Sequence, residues 1–499
     1  MKPGPGAQRR PRRQDERRGA QRVHEAPPAL TYTGAMSNEA PAAPEAAAST
    51  SSRLRAGTIA RYAIGSLGTG GFATLPGLVL TYYLTDSLGV AALAAGAVIT
   101  IAKVWDVIID PVIGALTDRD LARHGSRRRL MLIGACALPV LFALTFAVPP
   151  ALGPLTAGIW VLLAFTLTAT AFSLFQVPYI ALPAELTPRY DERTRLLTWR
   201  VVVLTLAILL FGAGGPALRR VSDDPVIGYL VMGIVCGVVI GLGMLISTTV
   251  ARRTASAPAP AAEAVAEKTG IREHYAAGIH ALRRSKPFRM LLGTFVLQAL
   301  ATGLMLAGAQ YVATWVLHSE AAVELLFIAL IAPALLAAPG WGVVARRIGK
   351  ERTFAIASVV FGVAALSILG VLWAPGDWIY VPVGVAGIAY AGMQSLPMAM
   401  LPDVISHDER TNGPGRAGSF SGVWTAGETV GFALGATTLS LILAMTGYVS
   451  RAAGQVVEQP DAAVAGIVVS FSLVPAVLIA VSLLTLARYP LRRADIDAS

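Results

Sequence analysis

KVWDVIIDPVIGALTDRDLARHGSRRR, residues 103–129, sets charged groups inside what should be a membrane-crossing helix. Residues 90–101 upstream are almost wholly apolar, so Lys103, Asp106 and Asp110 extend a run long enough to span a bilayer. Charges at that depth are costly. An ionisable group held there usually faces a protein interior or a water-filled cavity, and marks the path of an ion or substrate.

Residues three, four and seven apart share one face of a helix, which puts Lys103, Asp106 and Asp110 on a single stripe. Two carboxylates and one ammonium leave that stripe short of one positive charge, which a bound cation or a proton can supply. The like-charged neighbour favours keeping a proton on one carboxylate, whereas Lys103 favours the ionised form. A Lys/Asp pair that merely locks two helices is the bland reading, and it leaves the second Asp unexplained.

The rest of the chain agrees with a membrane setting. Mean hydropathy is +0.61 and only 14% of the 499 residues are charged. Apolar windows recur about twelve times, centred near residues 75, 100, 138, 168, 207, 238, 303, 332, 362, 388, 432 and 475. An all-α polytopic membrane protein follows. The net charge of +11 does not point to nucleic acid, because nearly all Lys and Arg fall in the N-terminal tail, alternate loops and the C-terminal end. Only Arg219, Arg220 and Arg451 fall in loops on the other side. By the positive-inside rule both termini should be cytoplasmic. Cys136 and Cys236 sit in apolar spans and support neither a disulfide framework nor a metal cluster.

Residues 1–55 are rich in Arg, Pro and Ala and should form a disordered cytoplasmic tail, with Met36 opening a second candidate start. No secretory signal peptide is expected, and the arginines at 9–13 have no apolar segment within reach. A six-helix half over 56–250 should follow, then a cytoplasmic linker over 251–287. Within that linker, Ile271, Tyr275, Ile279 and Leu282 have the spacing of a short interfacial helix. A second half over 288–488 and a tail over 489–499 complete the chain. The basic stretch 118–129 and the charged stretch 191–195 read as loops, Pro178 and Pro183 as kinks or stops, and the fifth helix as starting near Arg200.

The second half replays the first. Gln176, Pro178, Leu182-Pro183 and Asp191-Glu-Arg-Thr194 answer to Gln394, Pro397, Leu401-Pro402 and Asp408-Glu-Arg-Thr411. The stretch 111–129 has a weaker echo at 339–352. Two ordered matches make chance a poor explanation.

Six plus six helices, a central linker and a G-x-L-x-D-R…G-x-R-R loop resemble the major facilitator superfamily, whose fold is twelve helices in two pseudo-symmetric halves. WDVIIDPVIGALTDR, ELTPRYDERTRLLTWR and LPDVISHDERTNGPGRAGSFSGVWTAGETVGFALG resemble its glycoside-pentoside-hexuronide cation symporters, the melibiose-carrier group. The resemblance implies cation-binding aspartates at Asp106 and Asp110. The family's Asn between them is Ile109 here, which favours a coupling proton over sodium. Two sugar-gripping Asp positions align with Gly71 and Gln176, the Arg opening helix 5 is retained as Arg200, and a Lys of helix 11 aligns with Thr429 beside Glu428. Gly114, Asp118, Arg119, Gly125 and Arg127 match the loop signature, whose implied role is gating by pairs made across the halves in one state and released in the other. The same loop also orients helices by its charge.

Glu428 either faces the cavity as a second protonatable site or pairs with an inner-loop Arg. Gln298 and Gln310 either line the cavity or join helices. Trp199, Trp341 and Trp424 read as interfacial anchors, and His318 and His407 as loop residues. The leading expectation is a monomeric secondary transporter of the plasma membrane. It should move a small polar, sugar-like solute with a cation by alternating access, without resident cofactor or metal. A transporter of lipids or amphiphiles in the same superfamily is the alternative. An intramembrane prenyltransferase would use Asp106 with Asp110, and Asp403 with Asp408, as Asp-rich motifs. Such motifs belong at an aqueous mouth, and no enzyme needs repeated halves. No Walker-type ATP-binding motif is present.

Overall fold

The structure is a computed structural model that describes residues 54–187, 189–251, 282–412 and 417–491. Most of the expected tail, most of the linker and its interfacial helix, and the end of the C-terminal tail lie outside the described residues. Within them, twelve helices are long and apolar enough to cross a membrane. They are α1 (Ala56–Asp86), α2 (Ala92–His124), α3 (Arg128–Phe146), α4 (Pro154–Leu186), α5 (Tyr190–Arg219) and α6 (Pro225–Thr248). After the linker come α7 (Lys286–Val316), α8 (Ala322–Ile348), α9 (Lys350–Leu372), α10 (Asp377–Thr411), α11 (Phe420–Met445) and α12 (Asp461–Ala487). Each apolar window of the sequence falls inside one of them. In lipid a helix satisfies its own backbone groups, which is why composition alone locates these elements.

The helix ends differ from their expected places. Helical structure continues from Ala92 through Asp118 and Arg119 to His124, so the basic loop shrinks to the three residues before Arg128. Gly125, at φ +65°, ends it, its N–H donating to the Leu121 carbonyl at 2.8 Å. Pro178 and Pro183 sit inside a helix that runs on to Leu186. The fifth helix begins at Tyr190 and absorbs the charged stretch 191–195. A membrane helix tolerates proline where neighbouring helices re-satisfy the freed carbonyls, and acidic residues favour a helix's first turn.

The two halves pack alike. In the first, α1 lies on α5, α2 on α4, and α3 on both α4 and α6; in the second, α7 lies on α11, α8 on α10, and α9 on both α10 and α12. Between the halves α1 meets α7, α2 meets α11, and α5 meets α8. Small residues allow the closest approaches. A Cβ on Gly435 of α11 would stand 2.4 Å from the Leu304 backbone nitrogen of α7.

That contact predicts a selective cost. Gly435→Ala must push two backbones apart and should lose about 1–3 kcal/mol, whereas Gly293→Ala, with nothing within 4 Å of the added carbon, should not destabilise. Thermal unfolding of the two purified variants checks the difference.

Candidate functional site

Lys103, Asp106 and Asp110 face α1 and α4 in stacked tiers. In the first tier the Lys103 ammonium lies 5.8 Å from the Phe72 ring centre and 5.9 Å from that of Phe165. It donates to Asp106 Oδ2 at 3.0 Å. Phe172 stacks on Phe72 at 4.4 Å, so the ammonium has an aromatic wall beside it. A turn further along, Asp110 Oδ1 accepts from Ser173 Oγ at 2.5 Å, while Trp105 Nε1 donates to Thr170 Oγ1 at 2.9 Å. Below them Thr69 Oγ1 donates to Gln176 Oε1 at 2.8 Å. In the last tier the Arg200 guanidinium sits 5.5 Å from the ring centre of Tyr179, whose hydroxyl donates to the Tyr62 carbonyl.

Asp106 Oδ1 is buried and has no hydrogen-bond partner among the described residues. One carboxylate oxygen is therefore left open beside an ammonium, at a depth where an unpaired acceptor is costly.

Several expected positions resolve differently. Gly71 packs against α5 and α6, since a Cβ there would meet Ile240 and Phe211 at 2.8 Å; Thr69 is the α1 residue that reaches Gln176. Gln298 joins helices, donating to Ser358 Oγ at 2.9 Å and Ser482 Oγ at 3.1 Å. Gln310, fully buried, donates to Thr314 on its own helix. Trp424 is buried and stacks on Phe295 at 4.3 Å, so it is no interfacial anchor, and Trp341 bonds to the Ile388 carbonyl. Trp199 is half exposed. Glu428 and Thr429 lie half-buried on α11 in the other half, with no ion pair to Glu428 among the described residues. Near Glu428, Tyr390 accepts from Gln394 Nε2 at 2.9 Å.

The loop residues pair within their own half. Arg127 meets Asp118 at 3.0 Å and Glu185 at 2.5 Å, and Arg119 is exposed. Gly114 makes only ordinary contact with Val177. The second half repeats the device, Lys350 meeting Asp403 at 2.6 Å and Arg284 meeting Asp408 at 3.4 Å. Each of those aspartates has its own cation, so they do not form a shared metal-binding pair, and no metal-binding group of His, Cys, Asp or Glu occurs among the described residues.

Ion pairs between the halves gather at the opposite end. Arg219 meets Glu320 at 3.2 Å, and Arg220 meets Glu324. Asp86, its side chain wholly buried, accepts from Arg451 Nε at 3.2 Å and from the Tyr448 hydroxyl at 2.7 Å. The α11–α12 loop is also strapped to the end of α1. Arg451 N donates to the Thr85 carbonyl at 2.9 Å and Ala453 N to that of Ser87 at 3.0 Å. Below this seal Thr100 and Thr437 hydroxyls meet at 2.5 Å, but further along α8 burial stops at Ala334 and Leu336 is 85% exposed. Among the described residues the ion pairs that join the halves lie at the Asp86 end, and those at the other end stay within one half. The three arginines that broke the charge pattern are the seal's cations.

The family model described as MFS/sugar transport protein matches residues 61–493. The chain belongs to this family. It is a membrane transporter and not an enzyme, and its fold is that of the major facilitator superfamily. A glucuronide carrier protein homolog of Escherichia coli (strain K12) is 24% identical, with 87% of this chain and 92% of that one covered. A sodium-dependent lysophosphatidylcholine symporter of Xenopus tropicalis is also 24% identical, with 83% of each covered. Among solved structures, that of a D-xylose-proton symporter superposes with a TM-score of 0.57 at 12% identity, over 77% of this chain and 90% of the other.

Removing the seal's central cation tests its role. Arg451→Ala leaves Asp86 buried without it, which should disfavour the sealed state by about 3 kcal/mol and shift the equilibrium roughly 100-fold. Spin labels at Asp223→Cys and Val456→Cys, both exposed on that end, should then move apart in electron–electron distance measurements.

Proposed function

We propose that the transporter is a cation-coupled symporter, that its coupling ion is a proton, and that Asp106 and Asp110 take it up. The observation that carries this is the open Asp106 Oδ1 beside the Lys103–Asp106 pair, one turn from Asp110. Sodium asks for several oxygen ligands at once, as hard cations do. Ile109 offers none, Thr168 is turned to Thr145 and fully buried, and the hydroxyls of Thr170 and Ser173 are engaged. Lys103 adds a competing positive charge. A proton asks only for one carboxylate oxygen, and Asp106 Oδ1 has no partner among the described residues.

The solute is a small polar, sugar-like molecule held between the halves near Gln176, Thr69 and Arg200 of the first half and Glu428 and Thr429 of the second. The glucuronide carrier relative supports that class. The aromatic wall of Phe72, Phe165 and Phe172 also suits an amphiphile, and the lysophosphatidylcholine symporter relative supports this second reading. Transport proceeds by alternating access, the two halves rocking about the bound solute. Both termini and the 251–287 linker face the cytoplasm of a cell whose plasma membrane holds the protein as a monomer, so the sealed Asp86 end faces outward.

Two measurements test this reading. In proteoliposomes a pH gradient should drive accumulation of solute without sodium, and Asp106→Asn or Asp110→Asn should abolish accumulation while leaving the protein folded. Uptake that needs sodium and ignores the pH gradient would overturn proton coupling. For the orientation, an impermeant thiol reagent applied to intact cells should label Val456→Cys, which is 96% exposed, and miss Lys268→Cys. Labelling at 268 sinks the topology.

A further inference from the structure

Beneath the seal α1 and α7 form part of the seam between the halves, and their contacts come in rungs. At the inner rung a Cβ on Gly77 would stand 2.9 Å from Leu306 Cδ2. At the outer rung the hydroxyls of Thr85 and Tyr311 meet at 2.7 Å, and Thr314 reaches the hydroxyl of Tyr82. Residue numbers rise together on the two helices, so they run parallel here. Residues four apart share one face of a helix. Thr81 lies four from Gly77 and four from Thr85, and Gln310 four from Leu306 and four from Thr314, so Thr81 and Gln310 make the rung between.

That middle rung holds two polar atoms and no bond across it. Gln310 is fully buried and Thr81 is 1% exposed. Gln310 Nε2 donates to Thr314 Oγ1 at 3.1 Å, but Gln310 Oε1 has no partner among the described residues, and neither has Thr81 Oγ1. A threonine inside a helix can donate to the carbonyl one turn back, as Thr85 does to that of Thr81 at 3.3 Å. Thr81 forgoes that bond. A hydroxyl and an amide oxygen left dry on one rung are costly, although as donor and acceptor they are complementary.

We propose that a single water molecule bridges Thr81 Oγ1 and Gln310 Oε1, fastening the halves together one turn inside the seal. The water accepts from the threonine hydroxyl and donates to the amide oxygen, so both buried groups are answered at once. Turning the Gln310 amide over would put a donor where the acceptor stands, and water answers either. The bridge holds whatever ion or solute the transporter carries. It adds a neutral fastener to the charged ones outside it.

Thermal unfolding of the purified full-length protein, read as a cycle over Thr81→Val, Gln310→Met and the two together, tests the bridge. Thr81→Val keeps the shape of the side chain and removes the hydroxyl, which leaves the water and the amide short of a partner. It should lower the melting temperature by about 1–4 °C. Gln310→Met should then cost less in the Thr81→Val background than in the parent, because the bridge is already lost. The broken Gln310–Thr314 bond is common to both arms and cancels. A Thr81→Val protein whose melting temperature stays or rises, as removal of a dry hydroxyl would make it, overturns the proposal, and so do additive effects. Should a variant not purify, a density map of the parent fine enough to show ordered water decides. A peak within hydrogen-bonding distance of both atoms is expected, and a map without one overturns the bridge.

Discussion

A carboxylate inside a bilayer has to be answered by a cation, a donor or a proton, and the architecture of this transporter follows from how each one is answered. Asp86 is answered by Arg451 and Tyr448, and so binds the halves together. Asp106 is answered on one oxygen by Lys103, and Asp110 by Ser173. The remaining oxygen of Asp106 has no partner among the described residues.

The contrast between the two ends has an energetic side. A buried ion pair gains little net stability over apolar packing of the same volume, because its Coulomb attraction is largely spent on desolvation. A seal made of ion pairs and hydroxyls is therefore firm when intact and releasable when water reaches it. At the other end Arg127 with Glu185, and Lys350 with Asp403, rigidify each half separately. The halves can move as bodies there without breaking their own interiors.

Much of this was legible in the residues. The spans, the repeat and the charged stripe are periodic or compositional, and lipid enforces those signals strictly. Helix ends were not: Pro178 and Pro183 read as kinks or stops, and of the two a stop is ruled out, because packed membrane helices repair hydrogen bonds that soluble helices seldom do. The partners of the stripe were partly missed, since Ser173 and Thr69 are ordinary residues whose role depends on α4 and α1 meeting α2. Gly71, aligned with a sugar-holding position, turned out to pack against Ile240 and Phe211. The seal left one trace, Arg219, Arg220 and Arg451 on the wrong side for their charge. Their partners Asp86, Glu320 and Glu324 lie more than a hundred residues off in sequence, and a pairing at such separation has no period to betray it.

The strap between the α11–α12 loop and the end of α1 gives the molecule a built-in reporter. The amides of Arg451 and Ala453 are held by carbonyls of the other half, so each trades its hydrogen with solvent only when its bond across the halves breaks. Their rates of deuterium uptake thus measure how firmly this loop is fastened to the end of α1.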